Sequence, residues 1–514
     1  MTNRELDAAW KYHNETKHSQ WSVRNNAHFL DWANQPLPFK IYPELEPILL
    51  PREAEQTGVA AFSAIAGWAG GGMVAAPDLK VLSLLLYFSS GITRQRNYPG
   101  GEIYFRAAAC TGALYEIELY VVCGDLPDLE AGVYHFGPAD FALRRLRSGD
   151  WRGWLARASG NEPAVAQAPA TIVCSGTYWR NAWKYQARTY RHFGWDNGTL
   201  LANLLAMSAA QGLAARLVLG FVDNDVNRLL ALDTQREVAF SMVAVGLGAE
   251  PARSSAGEPQ PLELEALPVS RREVDYPEMR ELHAASSLRT PEEVAAWREG
   301  LAPTQAAPTS GGEVAPLQPM SEEELPRDPI ERVILRRGST RQFVRKPITL
   351  PQLSTMLDAA TRGLNADFLA PGEQLNDLYL IVNAVEGLKP GTYFFDRARR
   401  GLEILKQGDF RREAHFLGLE QDLPGDASVA VFFLADLKRI LERCGNRGYR
   451  AAQLEAGILG GKLYLAAYAL RLGATGLTFY DDDVVRFFSP QAEGKCAIFL
   501  TAIGHSAKRV ASTE

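Results

Sequence analysis

One six-residue stretch occurs twice: Ala131-Gly132-Val133-Tyr134-His135-Phe136 matches Pro390-Gly391-Thr392-Tyr393-Phe394-Phe395. At the same separation, residues 143–151 match 402–410, residues 118–120 match 377–379, and residues 188–191 match 447–450. Matches that keep one order at one long period are the signature of a repeated unit. The sequence therefore predicts a tandem duplication whose two halves have the same fold.

Each half has the same succession of hydrophobic patterns. The succession is a helix (79–89; 350–361), a strand (118–122; 378–382), a hairpin around Gly-x-Tyr, an apolar strand (170–175; 427–435), a long helix (197–211; 454–470) and a final strand (238–246; 496–503). This order predicts an α+β fold, a mostly antiparallel sheet flanked by helices. We expect one domain at 1–250 and another at 328–514. The intervening residues 251–327 are rich in Pro, Ala, Ser and Glu and predict a linker that contains a helix.

The bulk composition narrows the class of protein. The 514 residues are 46% apolar and 22% charged with a net charge of −6, which gives no general reason to expect nucleic acid or an acidic membrane as a partner. The five cysteines are scattered, odd in number and never in a C-x-x-C, so they indicate neither a disulfide framework nor a metal site. The N-terminus is polar and the longest apolar run is interrupted by polar residues. We therefore expect a cytoplasmic protein without a bound metal.

The stretch Arg336-Arg337-Gly338-Ser339-Thr340-Arg341 is the strongest candidate for binding an anion. A guanidinium group presents a fork of donors that suits phosphate oxygens, and a glycine lets backbone N–H groups approach an anion closely. The alternative is a solvated basic end of a helix, where arginines complement the helix dipole. Taken alone, the stretch favours that alternative.

The two halves have diverged in a complementary way. Half one has the apolar run 65–70 opposite the three arginines of half two. Half one also has a turn of small residues at 106–115 and the pair Lys184-Tyr185, where half two has a different sequence and Arg443-Cys444. A duplicated dimer with two equivalent interface sites can lose one of them in this manner. We therefore predict one composite site between the halves.

The chain resembles the nitroreductase superfamily of flavoenzymes, and within it the SagB/ThcOx (McbC-like) dehydrogenases that oxidise azoline rings in peptide natural products. The resemblance covers nearly the whole chain apart from the linker. It is carried by these stretches: Tyr12-His13-Asn14-Glu15-Thr16-Lys17, Leu30-Asp31-Trp32, Ser90-Gly91-Ile92-Thr93-Arg94, residues 112–118, Tyr190-Arg191 and Asp196-Asn197-Gly198.

This resemblance implies FMN held at a dimer interface. The family's phosphate motif is similar to Arg336, Arg337, Ser339 and Arg341, with one glycine inserted, and its C-terminal basic pair is similar to Lys508 and Arg509. The remaining matches are the loop beside the flavin, Gly476-Leu477, the turn from the opposing subunit, Cys110-Thr111-Gly112, and the catalytic pair, Lys184-Tyr185. In that turn the family's usual Pro-Ser is replaced.

Two further patterns have a structural and a functional interpretation. Lys184 and Tyr185 in a desolvated pocket would shift each other's proton affinity, and Tyr185 as a phenolate could take a proton while hydride leaves. The structural alternative is a Lys stem and a packed ring at an interface. Arg188 and Arg191 recur as Arg447 and Arg450, which favours shared structural salt bridges, and the repeated acidic runs 223–225 and 481–483 favour helix caps.

Three functions remain open at this stage. The first is an FMN-dependent dehydrogenase or oxidase acting on a small heterocycle or a modified, peptide-derived substrate. The second is an NAD(P)H-dependent nitro- or quinone reductase. The third is a flavin-binding protein that engages a partner without turnover. The sequence does not decide the electron acceptor or any further homo-oligomerisation.

Overall fold

The computed structural model describes residues 2–52, 56–67, 76–98, 101–247, 257–301 and 311–507. The predicted site residues Lys508 and Arg509 lie outside these described residues. Among the helices in the described ranges, none combines the length and the apolar character needed to cross a membrane.

The first half contains the strands β1 (Pro47–Leu49), β2 (Ile92–Tyr98), β3 (Gly101–Arg106), β4 (Ile117–Cys123), β5 (Gly132–Gly137), β6 (Ala142–Ser148), β7 (Ala170–Thr177), β8 (Ala215–Val218) and β9 (Glu237–Val245). Its helices are α1 (Asp7–Glu15), α2 (Gln20–Arg24), α3 (Ala61–Ala66), α4 (Leu79–Ser90), α5 (Arg152–Ala158), α6 (Pro163–Gln167), α7 (Tyr178–Tyr185), α8 (Thr189–Ala210) and α9 (Asp223–Leu229). Short 3-10 turns occur at Trp32–Asn34, Thr111–Ala113 and Gln186–Arg188.

Two helices, α10 (Pro277–Ala285) and α11 (Pro291–Glu299), precede the second half. The strands that follow are β10 (Val314–Pro316), β11 (Phe343–Val344), β12 (Ile348–Thr349), β13 (Asn376–Val382), β14 (Val385–Glu386), β15 (Gly391–Asp396), β16 (Gly401–Gln407), β17 (Val429–Ala435), β18 (Gly473–Leu477) and β19 (Cys496–Ser506). The helices are α12 (Ile330–Arg336), α13 (Leu350–Thr361), α14 (Arg411–Leu417), α15 (Asp422–Asp426), α16 (Leu437–Cys444), α17 (Arg447–Ala469) and α18 (Asp481–Phe488).

The two main sheets have corresponding strand orders. The first runs β1-β6-β5-β4-β7-β9-β8, and the second runs β10-β16-β15-β13-β17-β19-β11 with β18 also paired to β19. Each neighbouring pair along these paths is antiparallel. The prediction of two tandem α+β units, each built on an antiparallel sheet flanked by helices, is confirmed.

Local sequence accounts for the elements that frame each half. The helix α13 begins at a capping box, in which Thr349 Oγ1 accepts from Gln352 N and Gln352 Oε1 accepts from Thr349 N, and Pro351 lies in its first turn. The strands β4, β7 and β9 are buried along almost their whole length, which matches their nearly continuous apolar sequence. The long helices α8 and α17 are likewise buried on nearly every face, as expected for helices inside a core.

The helices α8 and α17 join the halves through glycine contacts. A Cβ added to Gly194 would lie 2.4 Å from the Cβ of Gln453, and one added to Gly198 would lie 2.5 Å from the backbone of Gly457 and Ile458. Such distances leave no room for a side chain, so these glycines set how closely the two helix backbones approach.

Two buried ion-pair clusters also join the halves, each combining an aspartate of one half with two arginines of the other. Asp481 lies 3.2 Å from Arg188 and 2.6 Å from Arg191. The reciprocal cluster places Asp223 2.7 Å from both Arg447 and Arg450. The predicted structural role of the repeated arginines is confirmed.

The predicted helix-cap role of the acidic runs is wrong. Asp223 and Asp481 are the first residues of α9 and α18, neither helix has a side-chain cap, and both carboxylates bind arginines across the seam. In the sequence, an aspartate at the start of a helix looks the same whether it caps that helix or binds an arginine that is distant along the chain.

The segment between the halves takes part in the second sheet. Residues 314–316, which we predicted to lie in a linker, form β10 and pair with β16. The start of α11 agrees with the sequence, because Thr290 Oγ1 accepts a hydrogen bond from Glu293 N at 3.1 Å. The domain boundaries at residues 250 and 328 remain predictions.

Candidate functional site

A cavity of about 870 Å³ lies at the seam between the halves. This volume is within the range of about 300–1,000 Å³ that small-molecule and cofactor sites occupy. Half one contributes Cys110, Thr111, Gly112, Lys184, Tyr185 and Asp196, half two contributes Ser339, Arg341, Tyr464, Gly476 and Leu477, and the N-terminal segment contributes residues that include Lys17, Trp21 and Asn26. The structure thus brings together nine of the thirteen site residues predicted from the sequence.

The small-residue turn of half one forms one wall of the cavity. Gly112 has a φ of 66°, a left-handed conformation that glycine adopts without strain. A Cβ added to it would lie 2.9 Å from the Tyr185 hydroxyl oxygen and 3.1 Å from a ring carbon of Tyr185. The glycine therefore provides both the backbone turn and the space that the tyrosine ring fills.

Lys184 and Tyr185 occupy the last turn of α7. The helix stops there because Gln186 takes a φ of 52°. Burial and the nearby Arg341 guanidinium lower the pKa of Lys184. Burial, reinforced by Asp196, Cys110 and Glu116, raises the pKa of Tyr185 well above its usual range.

These shifts bear on the expected roles of the pair. A tyrosine whose pKa is raised keeps its proton at neutral pH, which argues against the phenolate form of Tyr185. The catalytic role of the pair stays a prediction. The neutral amine of Lys184 becomes accessible at a lower pH than for an ordinary lysine. The ammonium nitrogen lies 5.3 Å from the centre of the Tyr185 ring.

The three arginines of the predicted phosphate stretch have different surroundings. Arg341 is exposed, lines the cavity, and has no ion-pair or hydrogen-bond partner within the described residues. Arg336 is instead buried and donates to the Asp328 carboxylate and to the Tyr468 carbonyl, each at 2.8 Å. Arg337 donates to the carbonyls of Arg106 and Ala107 in half one. Ser339 lines the cavity with Arg341, so the structure brings those two together and holds Arg336 and Arg337 in protein contacts.

Gly476 and Leu477 lie at the end of β18 and face the cavity from half two. The Gly476 N–H donates a hydrogen bond to the Tyr464 hydroxyl. The same hydroxyl is 3.4 Å from Ser339 Oγ, and the Tyr464 ring lies under the Arg337 guanidinium. Tyr464 therefore links the predicted phosphate stretch to the predicted flavin loop.

Cys110 and Thr111 are held by Asp196 on α8. Asp196 Oδ1 accepts from the Thr111 N–H at 2.8 Å and from the Thr111 hydroxyl at 2.9 Å, and Cys110 Sγ is 3.4 Å from Asp196 Oδ2. Glu116 Oε2 is also 3.4 Å from Cys110 Sγ. The three potential ligand atoms of Cys110, Glu116 and Asp196 lie within 4.8 Å of one another. The sequence predicted no metal site, and it did not predict this cluster.

Among the described residues, the position equivalent to the cavity, related by exchange of the halves, is nearly closed; residues 68 and 70, the counterparts of Ser339 and Arg341, lie outside the described ranges. It is a void of about 40 Å³ lined by Leu205, Ala209 and Ala215, the counterparts of Tyr464, Tyr468 and Ala474. Residues 363–367 of half two cross it. Leu217, the counterpart of Gly476, donates its N–H to the Asn365 carbonyl and accepts from Asp367 N, each at 2.9 Å. A backbone connection thus occupies the place that remains open on the other side.

Three parts of the cavity wall were not predicted from the sequence. Asp196 was noted as part of a family-like stretch but received no role, and Tyr464 was not singled out. The N-terminal segment was matched to the family opening without being placed at the site. A signal for Asp196 did exist, because an aspartate inside an apolar helix has to be explained by a buried partner.

A model of the nitroreductase family matches residues 106–247 and 334–502, one region in each half. The chain belongs to the nitroreductase family. A crystal structure of a putative nitroreductase from Anabaena variabilis shares 26% identity, covers 97% of this chain and 99% of that chain, and superposes with a TM-score of 0.76. This nitroreductase family member therefore shares its two-unit architecture with that protein.

A second relative corresponds to a single unit. A putative nitroreductase of Methanocaldococcus jannaschii is 27% identical over 168 residues, which is 80% of that protein and 33% of this chain. That protein therefore matches about a third of the present chain.

Proposed function

We propose that this protein is an FMN-dependent oxidoreductase with one composite FMN site at the seam. The observation that carries the proposal is the Arg341 guanidinium in the cavity. Arg341 comes from half two, is exposed and, within the described residues, has no ion-pair or hydrogen-bond partner. A cation without a carboxylate partner in a cavity favours the binding of an anion. A phosphate-bearing cofactor supplies such an anion.

The residues that line the cavity are of the chemical types that would bind FMN. Arg341 and Ser339 would hold the phosphate, because a guanidinium and a hydroxyl are suitable donors for its oxygens. The turn 110–112 of half one and the strand end at Gly476-Leu477 of half two line the same cavity and would contact the flavin. FMN, when bound, supplies hydride transfer. Lys508 and Arg509 remain a prediction as further phosphate contacts.

The chain's own groups would handle the proton. Lys184 Nζ as a neutral amine takes a proton from the substrate, and the Tyr185 hydroxyl, which keeps its proton, donates a hydrogen bond and orients the substrate. The N-terminal segment lines the cavity with Trp21 and Asn26. This arrangement, with the resemblance stated above, supports a SagB-type dehydrogenase or oxidase acting on a small heterocycle or a modified peptide.

A second candidate is an NAD(P)H-dependent nitro- or quinone reductase. The family match and both named relatives favour it. The two activities differ in the direction in which electrons enter the flavin.

One preparation separates these outcomes. The protein is purified, its absorbance spectrum recorded, and FMN added to saturation. Binding of FMN to wild type and at least tenfold weaker binding to Arg341→Ala support the composite site. The matched control is Arg345→Ala, an exposed arginine that pairs with Asp426 instead. Rapid bleaching by NADPH without air selects the reductase. A protein that binds no FMN at millimolar concentration refutes the proposal.

A further inference from the structure

Cys110 and Asp196, which line the cavity, form a cluster of acidic groups with the buried Glu116. Cys110 Sγ lies 3.4 Å from Glu116 Oε2 and 3.4 Å from Asp196 Oδ2. Glu116 has no exposed surface and Asp196 is 6% exposed. Two buried carboxyl groups joined through a thiol at these distances are costly when both are ionised.

The hydrogen-bond donors around this cluster are neutral. Thr111 donates its N–H and its hydroxyl to Asp196 Oδ1, and Asn181 Nδ2 donates to Glu116 Oε2 at 3.3 Å. Among the described residues, no hydrogen-bonding partner of Asp196 is a cation, and Glu116 Oε1 has no hydrogen-bond partner. The charged and titratable groups around Asp196 fall into three sets within the described residues. Glu116 and Cys110 belong to the cluster, and Arg106 and Tyr115 border a small void shared with Asp196. The groups that line the same cavity are Glu15, Lys17, His18, Lys184, Tyr185, Arg188, His192, Tyr276, Glu278, Arg341 and Tyr464.

The cations in these sets either bind other groups of the protein or lie on the other side of the cavity. Arg106 borders a void of about 20 Å³ that it shares with Cys110 and Asp196, but it hydrogen-bonds to Ser90 and to the Pro38 carbonyl. His192 is neutral, since burial followed by the nearby Arg188 lowers its pKa well below the usual range. Because no cation pairs with Asp196 or Glu116 among the described residues, we expect one of the two carboxyl groups to be neutralised by a proton.

We propose that Asp196 and Glu116 share one proton across Cys110 at neutral pH, and that Asp196 is thereby the positioning residue for Thr111. When the pair holds its proton, Asp196 is a weaker acceptor and the Thr111 hydroxyl is free to turn into the cavity. When the pair loses the proton, Asp196 accepts both hydrogen bonds from Thr111 firmly. The Thr111 hydroxyl then presents only the lone pairs of its oxygen to the cavity. Ionisation breaks one O–H bond, releases that proton to the cavity and moves no electrons.

The environment agrees with this assignment. Burial, followed by the charge of Glu116, raises the pKa of Asp196 well above its usual range. Burial and the two carboxyl groups also raise the pKa of the Cys110 thiol, so the thiol bridges the pair as a hydrogen-bonding S–H. The inference rests on the proposed function only in naming FMN as the molecule to which Thr111 responds.

Infrared spectroscopy of the protein without added flavin tests the shared proton directly. In D₂O, wild type at neutral pH should show a carboxylic acid C=O band that disappears on raising the pH. Asp196→Asn should lose this band, and Glu116→Gln should lower the pH at which it disappears, because burial still raises the pKa of Asp196 when the charge of Glu116 is removed. The control is Glu455→Gln, since burial raises the pKa of Glu455 to about 7 and its own band must be subtracted. A wild-type spectrum with no band beyond that of Glu455 overturns the proposal, even if both variants fail to fold.

The response of Thr111 needs a second readout. The affinity for FMN should change at least threefold across the pH range in which the infrared band is lost, and Asp196→Asn should bind FMN with a flat pH profile. Thr111→Val should flatten the profile in the same way while keeping the infrared band. A flat wild-type profile contradicts the positioning role. Absence of FMN binding with the infrared band intact refutes the proposed function and leaves the shared proton standing.

Discussion

The hydroxyl of Tyr185 lies directly against Gly112, where a Cβ would be 2.9 Å from the hydroxyl oxygen. Gly112 belongs to the turn of half one that faces the cavity, and Tyr185 ends the helix that carries Lys184. The tyrosine ring also packs edge-on against His192, with ring centres 4.8 Å apart. The ring therefore has little freedom to move aside.

Gly112→Ala tests this contact. The left-handed φ of 66° alone costs about 1 kcal/mol, and the overlap with Tyr185 adds displacement of the ring. We expect a loss of about 1–2 kcal/mol in the free energy of unfolding and a larger relative loss of turnover. The matched control is Gly212→Ala, which has the same φ of 66° but no atom within 4 Å of the added Cβ. Equal losses of turnover in the two variants would contradict a role for the contact.

Substitution of Arg336 should affect mainly stability, whereas substitution of Arg341 should affect mainly flavin binding. Arg336 is buried on Asp328, so we expect Arg336→Ala to lower the free energy of unfolding by about 1–3 kcal/mol. Arg341→Ala should unfold like wild type but bind FMN about 10- to 100-fold more weakly, the loss of one charged hydrogen bond. Denaturant unfolding and fluorescence titration with FMN measure the two quantities. Normal stability in Arg336→Ala together with lost FMN binding would reverse this assignment.

The role of residues 336–341 could be predicted only in part from the sequence. Their composition predicted an anion site, and one guanidinium does face the cavity. α12 ends at Arg336, and Arg337 already has a non-helical ψ of 138°. The chain turns there, so Arg336 and Arg337 reach different protein partners and, of the three arginines, only Arg341 faces the cavity. The directions were implicit in the helix boundary, which a pattern places only to within a few residues.

Other features depended on contacts that no local pattern encodes. The repeat predicted the order of strands and the long helices because both follow from hydrophobic periodicity. It did not predict that Gly363–Asp367 would cross the equivalent pocket, because half one continues at that place with the hairpin β2–β3. The partner of Asp223 lies more than 200 residues away in the chain and became visible only in the folded structure.

The reciprocal clusters at Asp223 and Asp481 predict an acid-sensitive seam. Burial raises the pKa of Asp223, but Arg447 and Arg450 outweigh it and lower that pKa to about 2. A depressed carboxyl pKa means that the contribution to stability is complete above the ordinary value of about 4 and is lost as the pH falls toward 2. We expect the midpoint of urea unfolding to fall steeply over that range.

Removing the carboxylate should remove this part of the pH dependence. Asp223→Asn leaves two buried guanidinium groups without their anion, at a cost of about 3–5 kcal/mol at neutral pH. Asp140→Asn is the control, since Asp140 pairs with Arg144 near the surface and should cost less than about 1 kcal/mol. A loss below about 1 kcal/mol for Asp223→Asn would show that the cluster does not hold the halves together.

Lys184 and Tyr185 should differ in how they shape the pH–rate profile. Because the pKa of Lys184 is lowered, turnover should rise with pH to a midpoint below the ordinary lysine value of about 10.4. Lys184→Ala should abolish the rise and lower kcat about 100-fold. Tyr185→Phe should lower kcat but keep the rise, since the tyrosine does not ionise there. Turnover intact in both variants would refute the catalytic assignment.

The blocked equivalent pocket predicts one FMN per chain. The open cavity has about 870 Å³, whereas the equivalent void has about 40 Å³ and is crossed by backbone hydrogen bonds between Leu217 and residues 365 and 367. A cofactor cannot enter the smaller space without breaking that connection, so calorimetric titration should end at one FMN per polypeptide. Arg341→Ala should weaken this single binding event, which locates it at the open side. A stoichiometry of two, or an event of unchanged affinity in Arg341→Ala, would show that the equivalent pocket opens and binds flavin.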